Sequence, residues 1–122
     1  IADRYQQALQ GIPGLQPPWI PTYARSNFQS YAIRLTAEFP LSRDVLMQQL
    51  LDRGISTRPG IMNAHQQPAC RELGNFDLPV SEAVREQVLL LPLYEDLSAD
   101  AQQHVIDALV SASKPLLLPL QS

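Results

Sequence analysis

Polar and apolar positions along this chain change period several times, and each change marks an element. Ile1, Tyr5, Ala8, Leu9 and Ile12 recur at three- and four-residue spacing. That spacing predicts a helix, terminated by Gly11 and Pro13, which reads as the end of a longer one. Residues 13–21 then carry Pro13, Pro17, Pro18 and Pro21 around Leu15, Trp19 and Ile20. Four prolines with fixed φ and no amide donors predict a stiff extended crossing. Trp19 and Ile20 are not expected to face water together, so the crossing is either a surface linker or a segment packed on a neighbour.

From Phe28 to Leu35 the period becomes two, with Tyr31, Ile33 and Leu35 on one side and Ser30, Ala32 and Arg34 on the other, which predicts a strand. Ser42 then stands as an N-cap, Asp44 in the first turn and Arg53 in the last, around an apolar stripe of Leu46, Met47, Leu50 and Leu51. A helix over 43–53 follows. Gly54 suits the left-handed position that closes it, and Ile55–Arg58 reads as a second, short strand that stops at Pro59-Gly60. Between Gly60 and Gln67 the chain offers Asn63, His65, Gln66 and Gln67, a density of neutral hydrogen-bonding groups that no other loop here matches.

The second half repeats the alternation. Pro68–Leu73 predicts one or two helical turns ending at Gly74, and Pro79 suits the first position of a helix over 80–88 with Val80, Val84 and Val88 four residues apart. Leu89–Leu93 is a continuous apolar run, the pattern of a strand buried on both sides, with Pro92 favouring an edge or a strand end. Ser98 caps a last helix that turns Ala101, Val105, Ala108, Leu109 and Ala112 inward. The tail Lys114–Leu120 is apolar and proline-interrupted, and is expected to lie on protein surface. Helices alternating with short strands predict a small α/β sandwich, helices packed on a short and mainly antiparallel sheet. The units are a helix end at 1–12, a proline-rich crossing at 13–27, an α/β domain at 28–112 and an apolar tail at 113–122.

Composition narrows the functions available. At 122 residues, 45% apolar and 17% charged, the chain has the makings of one globular core. A formal charge of −3 without a Lys/Arg cluster argues against nucleic acid or an anionic membrane as partner. No run is long enough to span a bilayer, and a single cysteine, Cys70, forms no internal disulfide. These features fit a soluble protein of the cytoplasm. The chain opens at Ile1, inside a predicted helix, which suggests sequence upstream.

Candidate chemistry is sparse. Cys70 is five residues from His65 across a proline and reads as a small apolar residue, not a nucleophile. His65 and His104 are 39 positions apart with no acid or thiol at ligand spacing, so no metal site is expected, and His104 reads as surface. His65 can donate and accept near neutral pH, which suits a hydroxylated or phosphorylated ligand as well as a bond to a loop carbonyl. Arg58, just before the loop, suits an anion or a salt bridge. No catalytic set is complete, and the five glycines are isolated, so there is no phosphate-cradling loop.

Taken in order, FQSYAIRL, SRDVLMQQLLDRGISTRPGI, AHQQPACRELG and LPVSEAVREQVLLLPLYEDLSADAQQHVIDAL resemble the C-terminal small domain of the DegT/StrS family, the pyridoxal-phosphate-dependent sugar aminotransferases of fold type I. The resemblance runs from about Ile1 to Ala112. It implies transfer of an amino group from an amino acid such as glutamate to a keto sugar on a nucleotide. It further implies an N-terminal domain that binds pyridoxal phosphate through a lysine, and a homodimer in which the small domain helps to wall the sugar-nucleotide pocket. His65 matches the family's loop histidine before Pro-Ala and is carried over as substrate-binding, with Asn63, Arg58 and Gln29 as further candidates. Gln29 stands where many members have a histidine and Cys70 where a tyrosine is common, which implies an unusual sugar preference.

Eight of the nine basic residues are arginine, and the one lysine, Lys114, lies beside Pro115 in the tail. Cofactor binding and transamination are therefore not expected of this chain by itself. Two further readings stay open: an autonomous small-molecule-binding or regulatory α/β module using the His65 loop, and an interaction domain working through the proline-rich apolar segments.

Overall fold

A computed structural model describes residues 1–114. Four α-helices are present among them: α1 (Ala2–Leu9), α2 (Arg43–Asp52), α3 (Pro79–Gln87) and α4 (Ala99–Ser113). Four short strands, β1 (Leu15–Gln16), β2 (Tyr31–Leu35), β3 (Arg58–Pro59) and β4 (Val88–Leu91), form one sheet in the order β1-β2-β4-β3, every pairing antiparallel. The mixed α/β architecture is the one the alternation predicts.

The core forms on one face of that sheet. Tyr31 is opposite Leu91, Ile33 opposite Leu89 and Leu35 opposite Leu15. All six are buried in one cluster with Tyr5 and Leu9 of α1, Leu46 and Leu50 of α2, and Val105, Ile106 and Leu109 of α4. On the opposite face, Ala32, Arg34 and Leu90 are half-buried. The Tyr5 and Tyr31 rings stand 4.9 Å apart; the Tyr5 hydroxyl donates to the Pro92 carbonyl at 2.7 Å, whereas the buried Tyr31 hydroxyl has no partner among the described residues. Burial first, and then the neighbouring Tyr94, pushes the Tyr5 phenol up to about 12, and burial raises Tyr31 as well.

Local signals set the helix ends. Ser42 accepts from the Val45 amide and Ser98 from the Ala101 amide, each satisfying one donor that a helix start leaves free. Gly54 takes φ +79°, and the Ile55 amide reaches back to the Leu50 carbonyl, which turns Ile55 into the core.

Several expectations are corrected. The segment after Gly54 pairs later than Ile55: β3 is only Arg58–Pro59, because Ile55 is spent on closing α2 and packing inward. The proline crossing holds an unpredicted strand, since Gly14 at φ +79° turns Leu15 and Gln16 onto Leu35 and Arg34 before Pro17 intervenes. Trp19 is 83% exposed while Ile20 is half-buried. The strand ending at Pro92 is central in the sheet, because pairing stops at Leu91 and the proline falls just outside it. The strand predicted from Phe28 begins at Tyr31, Phe28 itself taking φ +45°. The first helix ends at Leu9, short of Ile12. Leu51 and Val80 are exposed, so the inward stripe of α2 is the Leu46–Leu50 pair, one helical turn apart, with Met47 half-buried. The predicted tail beyond Lys114 lies outside the described residues.

Candidate functional site

The polar loop is more ordered than its composition implies. Ala64–Gln66 and Pro68–Leu73 are two 3-10 segments, with Pro68 opening the second where its missing amide hydrogen costs nothing. They are held against α3, which supplies three fastening points. The buried Asn63 donates through Nδ2 to the Ser81 carbonyl at 2.9 Å and to Gln66 Oε1 at 3.0 Å, and Gln66 Oε1 also accepts from Arg85 at 3.3 Å. His65 Nε2 is 3.0 Å from Glu82 Oε1, with the imidazole only 10% exposed. Both amide hydrogens of Asn63 are thus consumed inside the protein. The structure places Asn63 as a fastener of the loop.

His65 fares differently. It lines an open groove of about 400 Å³ with Met62, Cys70, Leu73, Phe76 and Leu78. One ring nitrogen faces Glu82; no hydrogen bond of the other is formed with the described residues. The groove thereby pairs a mostly apolar wall with an imidazole and a few uncharged polar groups, an arrangement that can hold and orient a ligand. Cys70 lines the same groove and forms no hydrogen bond with His65 among the described residues, so no nucleophile–base pair is assembled.

Arg58 and Gln29 belong elsewhere. Both are exposed and line a second cleft of about 430 Å³ between the start of β2 and the end of β4, together with Ser56, Thr57 and Tyr94. The four residues singled out from the sequence therefore fall into two clefts, Asn63 and His65 in one, Gln29 and Arg58 in the other. His104 is exposed as expected, and its Nε2–H donates to the Arg53 carbonyl, tying α4 to the end of α2. The sequence reading missed Ser81, Glu82 and Arg85. Nothing local marks them: they read as the ordinary face of α3 and acquire their role only through contacts 17–19 residues away.

A small antiparallel sheet packed against helices and carrying a histidine loop defines a mixed α/β domain. The chain belongs to the DegT/DnrJ/EryC1/StrS aminotransferase family, whose model matches residues 1–110. Among solved structures it is similar to the aminotransferase TlmJ from Streptoalloteichus hindustanus, with 31% identity and a TM-score of 0.79 over 91% of this chain and 29% of that one. It is also similar to S. venezuelae DesV, crystallised in complex with a ketimine intermediate, with 28% identity and a TM-score of 0.79 over 93% of this chain and 30% of that one. DesI, crystallised in the presence of its TDP-sugar product, matches at 25% identity and a TM-score of 0.80 over 93% of this chain and 30% of that one. The chain thus spans less than a third of the length of the structures it matches.

Proposed function

We propose that this chain is the C-terminal domain of a pyridoxal-phosphate-dependent sugar aminotransferase, which transfers an amino group from an amino acid, glutamate, to a keto sugar carried on a nucleotide. An N-terminal domain of the same polypeptide holds the cofactor. This chain walls part of the sugar-nucleotide pocket, in a homodimer. The observation that carries the reading is one of extent: about nine-tenths of these residues superpose on less than a third of each of the three structures, one of them crystallised with its TDP-sugar product.

The residues present do not fit the cofactor itself. Lys114 is exposed at the C-terminal cap of α4, not set in a pocket that would hold a ring. The work open to this chain is binding and orientation through the His65 groove and the Arg58 cleft.

Two measurements test this. Titrating pyridoxal phosphate against the chain is expected to give no Schiff-base absorbance; a band abolished by Lys114→Ala would overturn the reading. The coding sequence upstream of Ile1 is expected to specify a cofactor domain with a lysine. A start codon directly before Ile1, with no such domain encoded beside it, would favour the free-standing module.

A further inference from the structure

We infer that Glu82 is a positioning residue for His65: by accepting from Nε2–H it fixes the imidazole in one tautomer and presents Nδ1 to the groove as a bare acceptor. The inference rests on the reading of the groove as a ligand site, and adds which chemistry that site selects. A carboxylate has only lone pairs to offer, so a neutral imidazole 3.0 Å from Glu82 must donate from Nε2. Nδ1 is then the lone pair that remains. A ligand meeting it has to bring a hydrogen: a hydroxyl or an amide or imide N–H, not a fully ionised phosphate oxygen.

The surroundings keep this arrangement in place. Glu82 sits on α3 beside Ser81, which holds Asn63, and one turn before Arg85, which holds Gln66, so the loop is fastened on both sides of the histidine. With the His65 side chain only 10% exposed, rotation of its ring would break the bond to Glu82 with little water at hand to replace it. The remaining groove wall is mostly apolar, Met62, Leu73, Phe76 and Leu78, with Asn63, Cys70 and Ser81 as its uncharged polar members. A mostly apolar wall beside uncharged polar groups, with no charged residue among them, suits a neutral ligand face and gives an anion no counter-charge.

The experiment is a long-range nitrogen–proton correlation spectrum of the imidazoles at about pH 8.5, where histidine is ordinarily neutral. The chain has two histidines, and His104, whose Nε2 must donate to the Arg53 carbonyl, serves as the internal control. His65 is expected as a single tautomer with Nε2 protonated. In Glu82→Ala both of its ring nitrogens are expected to move toward the averaged values of a free imidazole while those of His104 stay put. Should Glu82→Ala disturb the fold, the His104 signals will move too, and the wild-type tautomer alone then decides. A protonated Nδ1, or a mixture of tautomers in the wild type, would overturn the inference.

TDP-glucose and inorganic phosphate supply the second arm, added to the longer polypeptide that carries the cofactor domain, since this chain walls only part of the pocket. The sugar nucleotide is expected to shift Nδ1 of His65 and leave Nε2 in place, and phosphate alone to shift neither. Phosphate moving Nδ1 as far as TDP-glucose would overturn the claimed selectivity. A fixed tautomer, released by Glu82→Ala but untouched by TDP-glucose, would uphold the role of Glu82 and count against the sugar-nucleotide reading instead.

Discussion

Two tyrosines packed ring to ring illustrate how much the fate of one hydroxyl decides. Tyr5 donates to Pro92, whereas the Tyr31 hydroxyl is buried with no partner among the described residues. Removing a satisfied group strands its partner, and removing an unsatisfied one relieves a desolvation cost. Tyr5→Phe is therefore expected to lower stability by about 1–2 kcal/mol and Tyr31→Phe to leave it unchanged or raise it by up to about 1 kcal/mol, as read by urea unfolding. Equal losses would show that Tyr31 has a partner after all. The same pair sets the alkaline limit. A buried phenol whose pKa is pushed up to about 12, as for Tyr5, keeps its proton in the folded state while the unfolded chain begins to lose it near 10. Stability is thus fully present below about pH 10 and falls as pH rises through about 12, at a slope on the order of 1 kcal/mol per pH unit for each buried tyrosine. Substituting both phenols by Phe should flatten that slope. None of this was legible in the sequence, where Tyr5 and Tyr31 are simply the apolar members of a helix and a strand.

At the scale of the element, legibility follows the range of the interaction. Ser42, Ser98 and Gly54 act on amides and carbonyls within five residues, and the helix ends they predict are the ones found. The alternation of Tyr31, Ile33 and Leu35 likewise survives into burial, each residue facing the core. What failed depended on a distant partner. β1 exists because Gly14 turns the chain onto Leu35, and its position among prolines concealed it. The clustering of polar groups in the loop drew notice to His65 and Asn63, but the division of labour between them is fixed by α3. Gly14 offers the sharper test. Its φ is +79°, and a Cβ there would fall on the backbone of Phe39. Gly14→Ala is expected to cost about 3 kcal/mol, adding left-handed strain to overpacking, whereas Gly11→Ala, at a similar φ in open space, is expected to cost about 1 kcal/mol. Thermal unfolding that ranks the two alike would mean that β1 gives way without loss.

Over the whole molecule, polar bonds tie the beginning of the described chain to its end. Gln102 donates to the Ile1 carbonyl at 2.7 Å, Arg4 to the Ala99 carbonyl at 3.0 Å, and Tyr5 to Pro92. The same ends share one apolar cluster, since Tyr5 and Leu9 pack with Val105, Ile106 and Leu109. A chain ending at Asp96, and so lacking α4, is expected to lose amide-exchange protection in α1 as well as cooperative unfolding. Retained protection of α1 would show that β2 alone suffices to seat it. The arrangement also has a consequence in time. A ribosome adding roughly 5–20 residues per second spends about 5–20 s between emitting α1 and emitting α4. Until then the first helix waits without its main docking surface, and maturation of this core must wait for α4 to emerge.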